Sequence, residues 1–185
     1  MYKKLFVFFF LLNVYSCAFT PHIDKRTYSS KTKAASLVDG TGIDLFVNGE
    51  DSKVVGHIRN GFGAETANIE VPQTKRELIK QSLEQEFSLN GYKVISGAPL
   101  KVIIRPKQVE LELAQESGKA GYFAICDLKV YLMHQDKLLE RNFVSNDQID
   151  SYWAVTASEG IDTFYSSINK CSAEIVSEVT KRVKQ

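Results

Sequence analysis

The sequence predicts an α+β domain in which an antiparallel-rich sheet of five to six strands carries two helices on one face. Short segments between positions 43 and 149 alternate apolar and polar residues, which is typical of half-buried strands. Two longer segments repeat apolar residues every three or four positions, as helices that bury one side do. Turn-like residues join several of the strands, and this favours antiparallel pairing.

Three short strands open the predicted domain. In the first, Ile43, Leu45 and Val47 alternate with Asp44 and Phe46, as in a half-buried strand. The turn residues that follow it are Asn48-Gly49-Glu50-Asp51. The next two strands are predicted at 53–59 and 67–71, joined through the Gly-rich residues 60–63.

A helix follows Pro72, which ends the third strand. Thr74 and Glu77 have the spacing of a capping box, in which each residue satisfies the free amide of the other. Asn90-Gly91 predicts the end of the helix, because glycine readily adopts the left-handed conformation found there. The apolar face of this helix comprises Leu78, Ile79, Leu83 and Phe87.

A long strand with a defect is predicted after residue 99. Apolar residues occupy even positions from Leu100 to Ile104 and odd positions from Val109 to Leu113. A period-two pattern changes phase only if one residue is added, so we expect a β-bulge or bend at Arg105-Pro106-Lys107.

A hairpin and a second helix complete the domain. After a turn at 118–121, a long strand has one apolar face from Tyr122 to Leu132. A turn at 134–137 then leads into a strand that returns antiparallel over 138–149. The last helix is expected from about Ser158 to Arg182, and Gly160 in its first turn should weaken its start. Its apolar face comprises Ile161, Phe164, Ile168, Cys171, Ile175 and Val179.

Residues 1–16 have the features of a secretory signal peptide. Lys3 and Lys4 precede an apolar run of about ten residues, which is too short for a membrane-spanning helix of roughly 20. The following Val14-Tyr15-Ser16-Cys17 resembles the bacterial lipobox, which implies that Cys17 is acylated and anchors the protein in a membrane. The alternative is an ordinary secretory signal in which Cys17 is incidental. Ala18 follows the cysteine instead of Asp, and by the enterobacterial rule this implies the outer membrane, facing the periplasm.

Polar residues dominate positions 17–41, which we interpret as the lipidated cysteine and a flexible tether to a single domain at 42–185. A coil of about 24 residues spans roughly 25–30 Å on average. The formal net charge of the whole chain is +1, and loss of Lys3 and Lys4 changes it to about −1. No overall basic field exists, so nucleic acid is not an expected partner.

Two of the three cysteines remain after Cys17 is assigned to the lipid. Cys126 and Cys171 both fall on inward faces of their predicted elements. In an oxidising compartment they could form a disulfide, and the alternative is a pair of buried thiols that act as small apolar residues. The sequence has no CxxC motif and no Cys/His spacing typical of a metal site, so neither a metal nor a cofactor is expected.

No catalytic residues are predicted. None of the three histidines lies in a motif with a nucleophile, and the hydrolase, zinc-protease and P-loop motifs are absent from the sequence. Glu110 and Glu112 share a strand face, but a solvated face explains them more simply than paired catalytic carboxylates. Tyr152 and Trp153 follow a strand and mark either an interaction surface or core packing at the sheet end.

Several of these segments together resemble the YajG family of bacterial lipoproteins, and more distantly the auxiliary lipoproteins of envelope transporters. That family has no established biochemical activity, so the resemblance implies no catalytic residues. A firm anchor, a tether and a compact domain without recognisable catalytic chemistry favour a structural or accessory component of a cell-envelope assembly, such as a secretion system or transporter. The alternatives are a lipid or glycan carrier and a peptidoglycan-contacting scaffold. The segments are the lipobox, Val47-Asn48-Gly49, the run Asp51 to Gly56, the helix end Phe87 to Tyr92, the strand with Tyr122, Ala124 and Asp127, and the C-terminal helix.

Replacing Cys17 with serine tests the lipidation directly. The Cys17→Ser protein is expected to leave the membrane fraction and to incorporate no labelled palmitate, because the acylated sulfur atom is gone. Both can be measured by membrane fractionation and by metabolic labelling. Incorporation of palmitate into the variant would show that the lipobox interpretation is wrong.

Overall fold

The computed structural model describes residues 40–59, 64–116, 119–135, 137–151 and 156–184. The predicted signal peptide, Cys17 and nearly all of the predicted tether lie outside these residues. The described elements, in chain order, are β1 Gly42–Val47, β2 Val54–Arg59, β3 Glu65–Glu70, α1 Lys75–Leu89, β4 Lys93–Val94, β5 Leu100–Glu116, β6 Lys119–His134, β7 Lys137–Ser151 and α2 Ala157–Val183.

Strand β5 is the central strand of the sheet. One edge of β5 pairs antiparallel with β6 along its whole length, and β6 pairs in turn with β7. The opposite edge is divided between two short strands that both run parallel to β5. The first half, from Leu100 to Ile104, pairs with β1, and the second half pairs with β2 at Leu111 and Glu112. Strands β4 and β3 then extend the sheet beyond β1 and β2 respectively.

The predicted sheet was wrong in two respects, because the described part of the chain forms a mixed sheet of seven strands. An antiparallel-rich sheet of five to six strands was expected from the hairpins. Parallel and antiparallel strands share the same alternation of apolar residues, so the pattern of β1 does not reveal its direction relative to β5. Strand β4 has two residues, which is too short to show any period.

The predicted bulge in β5 is confirmed. Pro106 is paired with Leu128 of β6 and Gln108 with Asp127, so Lys107 is the additional residue on β5. On both sides of Lys107 the apolar residues face the helices, and Ile104 and Leu111 are almost fully buried. The bulge therefore keeps one continuous strand apolar on a single face.

Pro106 occupies a central strand, where the loss of its N–H would normally cost a ladder hydrogen bond. Two residues earlier, the carbonyl of Ile104 accepts a hydrogen bond from the amide of Asn48 on the β1 edge. By the alternation of the strand, Pro106 directs its nitrogen to that same edge. There β1 has already ended at Val47 and β2 has not begun. The absence of an N–H group at Pro106 therefore breaks no hydrogen bond to a neighbouring strand.

Both helices begin with a capping box. Thr74 and Glu77 form the predicted one, and Gly91 has the expected positive φ of 87° after the end of α1. Hydrogen bonding to Thr74 lowers the pKa of Glu77. The second box, formed by Thr156 and Glu159, was not recognised in the sequence.

The two helices pack against each other and against one face of the sheet, as predicted. Ser82 of α1 donates a hydrogen bond to Ser172 of α2 at 2.8 Å, and Tyr92 donates to Thr180 at 3.1 Å. Helix α2 covers β5, β6 and β7, while α1 lies over β1 and β4. The largest fully buried side chains, Phe87 and Phe164, come from α1 and α2.

Gly160 permits close packing at the start of α2, where the sequence suggested only a weak first turn. A Cβ atom added there would lie 2.6 Å from ring atoms of Tyr122, which is closer than real Cβ contacts allow. The Tyr122 side chain is itself 5 % exposed, so its ring has little room to move. The capping box of Thr156 offsets the poor helix propensity of this glycine.

Gly160→Ala is therefore expected to destabilise the domain by about 1–3 kcal/mol, because the methyl group overpacks the Tyr122 ring. Urea unfolding followed by circular dichroism measures the change. Glu174→Ala, at an exposed position of α2, is the control and should leave the free energy of unfolding nearly unchanged. An increase in stability for Gly160→Ala would show that helix propensity dominates and that the packing account is wrong.

Candidate interaction surface

The face of the sheet opposite the helices is covered by neither described helix. We call it the open face, meaning the outward-pointing residues of β1, β5, β6 and β7. A row of apolar side chains crosses it: Phe46 pairs with Ile103, and Ile103 pairs with Tyr131. The side chain of Phe46 is 48 % exposed and that of Val144 on β7 is 51 % exposed. The open face therefore presents aromatic and aliphatic groups to its surroundings.

Cationic groups flank the aromatic ring of Tyr131. The guanidinium of Arg105 lies 5.1 Å from the ring centre, and the ammonium of Lys129 lies 5.3 Å from it. Lys129 also forms an ion pair with Glu140, and hydrogen bonding to this carboxylate raises the pKa of Lys129. An arginine in contact with a half-buried tyrosine ring is the kind of pair that anchors protein interfaces.

Acidic side chains occupy the open face beyond the bulge. Glu110 and Glu112 of β5 lie opposite Ile125 and Phe123 of β6. They share a face, as the sequence indicated, and Glu110 accepts a hydrogen bond from Gln108 at 3.2 Å. Charge thus changes along β5 from basic before the bulge to acidic after it, which gives the surface a defined electrostatic orientation.

Asp127 is a half-buried carboxylate on this same face. One of its carboxylate oxygens, Oδ1, is shielded from solvent and has no hydrogen-bond partner among the described residues. Leaving such an oxygen unsatisfied costs about 1–3 kcal/mol, so a donor supplied by a bound partner would be favourable there. Asp127 lies on β6 between the basic and acidic parts of the open face.

The predicted cysteine pair is brought together in the core. Cys126 on β6 and Cys171 on α2 are both fully buried, and both are free thiols in the structure. The thiol of Cys171 donates a hydrogen bond to the carbonyl of Phe143 at 3.6 Å. Hydrogen bonding with Cys171 and burial raise the pKa of Cys126 well above its usual value. Cys126 is therefore a poor nucleophile in the folded protein, and a disulfide between the two buried cysteines stays a prediction.

The other predicted site residues lie outside the described residues. Cys17, Tyr152 and Trp153 belong to this group, so their surroundings are not part of the site described here. Within the described ranges, no cluster of three or more His, Cys, Asp or Glu side chains could hold a metal ion. The helices among them are also not long and apolar enough to cross a membrane.

Sequence reasoning missed the open face as a candidate surface. A signal was present, because apolar residues occupy outward positions of strands that should be polar there. Their cross-strand alignment depends on the register between β1, β5 and β6, which the sequence does not state. The outward apolar residues are Phe46, Ile103, Phe123, Ile125, Tyr131 and Val144, together with Met133 and Leu138 at the end of the sheet where β5 begins.

Comparison with known proteins identifies the fold but no family. No family model matches the chain, and no curated protein matches its sequence. Protein XCC0632 of Xanthomonas campestris, described as DUF330, is similar in structure, with a TM-score of 0.62 and 15 % sequence identity. The similarity covers 86 % of this chain and 97 % of that one. A minor lipoprotein of Acinetobacter baumannii follows, with a TM-score of 0.50, 9 % identity and coverage of 79 % and 94 %. The chain thus shares its fold with a protein described as a lipoprotein.

The state of the two buried cysteines can be measured by alkylation. If Cys126 and Cys171 are bridged, the denatured and unreduced protein is expected to incorporate no alkylating reagent at either position. After reduction, mass spectrometry should then detect one label on each. Full labelling of both cysteines before reduction would exclude the disulfide and leave two buried thiols.

Proposed function

We propose that this protein is a membrane-anchored, periplasm-facing lipoprotein of the YajG type that acts as a non-enzymatic accessory component of a cell-envelope assembly. In this proposal Cys17 carries the lipid and the open face binds a protein partner. The observation that carries the second part is the row of Phe46, Ile103 and Tyr131, which no described helix covers, on a sheet whose other face carries both helices and the core.

The lipid anchor is supported by the N-terminal sequence and by the fold. Residues 1–17 combine a basic start, a short apolar run and a cysteine in a lipobox-like motif. The minor lipoprotein of Acinetobacter baumannii has a similar fold at low sequence identity. An outer-membrane position is inferred from Ala18 after the cysteine.

The chemistry of the open face supports a protein as its partner. Burial of apolar surface contributes about 25 cal/mol per Å², so covering Phe46 and Val144 would be favourable. Arg105 and Tyr131 are residue types enriched at interfaces, and the change from basic to acidic along β5 would fix the orientation of a partner. This arrangement offers recognition rather than a reaction centre.

A lipid carrier is a second candidate, and one observation favours it. A cavity of about 550 Å³ lies between the β6–β7 hairpin and the end of α2, lined partly by Leu132, Leu139 and Val183. Its volume falls within the range of small-molecule sites. Detection of a stoichiometric lipid by native mass spectrometry of the purified protein would favour this function over docking.

Docking through the open face is tested by replacing its exposed apolar groups. After mild detergent extraction, the native protein is expected to co-purify with a stoichiometric envelope protein. The double variant Phe46→Ser, Val144→Ser should lose at least about 90 % of that partner, because the loss of two anchors typically costs more than 1.4 kcal/mol. Quantitative mass spectrometry of the purified material measures the ratio.

Lys80→Ser provides the control, because Lys80 is exposed on α1, away from the open face. It should leave the partner ratio unchanged. Equal retention of the partner by the open-face variant and by the control would contradict docking at this surface. Absence of any stoichiometric partner from the native protein would contradict the accessory function itself.

A further inference from the structure

We propose that the end of the domain at which the chain enters β1 is a membrane-binding surface for anionic phospholipid headgroups. We call it the tether end. This inference rests on the proposed lipid anchor and adds to it a specific orientation of the domain on the bilayer. The surface combines exposed apolar side chains with an excess of cations, and the chain leading from Cys17 arrives at the same place.

The strand register locates the elements that meet at the tether end. Strand β1 begins at Gly42, which pairs with Lys93 at the start of β4. Strand β5 begins beside it at Leu100. The antiparallel pairing of β5 with β6 brings Met133 opposite Lys101, and the β6–β7 hairpin closes there. Both helices also end at this side, since Tyr92 after α1 contacts Thr180 near the end of α2.

The point of chain entry connects this end to the anchor. Gly40 is the first described residue, and its amide donates a hydrogen bond to the carbonyl of Gly91 at 3.0 Å. Twenty-two residues separate Cys17 from Gly40, and a flexible chain of that length would reach roughly 25 Å on average. The tether predicted from the sequence would thus hold the tether end within contact distance of the bilayer to which Cys17 would be attached.

Exposed apolar side chains are concentrated at the tether end. Six large apolar residues of the described ranges are exposed, and four of them lie here. Leu138 is 64 % exposed, Ile95 51 %, Leu89 45 % and Met133 41 %. Leu89 belongs to α1 and Ile95 to the loop that follows β4, while Met133 is on β6 and Leu138 on β7. These side chains therefore meet only in the folded domain. Apolar groups of this kind insert at the boundary between headgroups and acyl chains.

Cations surround these apolar groups. Six exposed Lys and Arg side chains lie at the tether end: Lys93, Lys101, Lys137, Lys181, Arg182 and Lys184. Among the described residues, the acidic ones nearby are fewer, and two of them are already paired. Glu140 pairs with Lys129, and Glu178 pairs with Arg141 and Arg182. The remaining ones, Asp44 and Glu86, are buried.

Away from the tether end the exposed charges are of both signs. Glu112, Asp150 and Glu159 lie towards the far end of the strands, and Asp51, between β1 and β2, is paired with Arg76. A cluster of exposed cations beside exposed apolar side chains therefore distinguishes the end where the chain enters β1. Lys and Arg side chains close to an anionic leaflet are attracted to it, which favours an orientation with the tether end on the bilayer.

The test uses fluorescence quenching from within the bilayer. The chain has one tryptophan, so Trp153→Phe provides a background without fluorescence from that residue. Leu138→Trp or Ile95→Trp then reports on the tether end, and Val144→Trp reports on the open face at a position that is 51 % exposed, as Ile95 is. The full lipidated protein is reconstituted into phosphatidylethanolamine and phosphatidylglycerol vesicles that contain brominated acyl chains.

The tether-end probes are expected to be quenched at least about twofold more than Val144→Trp, because apolar groups at the interface reach the acyl boundary. In the triple variant Lys137→Gln, Lys181→Gln, Lys184→Gln the quenching of Leu138→Trp should fall towards that of Val144→Trp. The matched triple variant Lys53→Gln, Lys75→Gln, Lys80→Gln removes the same charge away from the tether end and should leave it unchanged.

Equal quenching at the two positions, or stronger quenching of Val144→Trp, would overturn the membrane-binding surface. Equal effects of the two triple variants would overturn its electrostatic basis. Flotation of the vesicles separates this inference from the proposed anchor. Protein that floats with vesicles without quenching at the tether end keeps the anchor and refutes the orientation, whereas protein that fails to float refutes both.

Discussion

The structure depends on one strand that must satisfy three neighbours at once. Strand β5 pairs with β6 along one edge and with β1 and β2 in turn along the other. A strand of this length keeps its apolar residues on one face only if their alternation stays in phase. A slip of one residue moves every side chain to the opposite face. The extra residue Lys107 resolves the mismatch between its two halves, so that Ile104 and Leu111 both point into the core.

The one-sided packing of the sheet follows from this arrangement and leads to the functional proposals. Both helices bury the apolar face of β5 and its neighbours, which leaves the opposite face uncovered by any described helix. Exposed apolar side chains and cations gather at the end of the domain where β1 begins. We propose a protein partner for the open face and a lipid surface for the tether end.

Local features were predictable from the sequence, and long-range pairing was not. The bulge at Lys107 and the capping box of Thr74 follow from spacing within a few residues, so the sequence states them directly. The parallel pairing of β1 with β5 joins segments more than 50 positions apart, and alternation does not encode its direction. The packing of Gly160 against the Tyr122 ring was not predictable either, because this contact forms only after the helix docks on the sheet.

The candidate site shows the same difference between local features, which were predictable, and long-range ones, which were not. Burial of Cys126 and Cys171 was predictable, because each residue lies on the apolar face of its own element. The row formed by Phe46, Ile103 and Tyr131 joins three strands, and the tether end joins residues from every layer. Neither the row nor the tether end forms a pattern along the chain. The row depends on strand register and the tether end on which element ends meet, so both can be recognised only when the fold is known.

The orientation of the lipidated domain is the central claim, and neutron reflectometry on a supported bilayer measures it most directly. Strand β5 has 17 residues, so at about 3.3 Å per residue it is roughly 55 Å long, whereas a sheet and a helix layer together are about 20 Å thick. A domain that stands on its tether end gives a protein layer of about 50 Å directly on the headgroups. A layer of about 20–25 Å, as expected for a domain lying on its open face, would contradict the account.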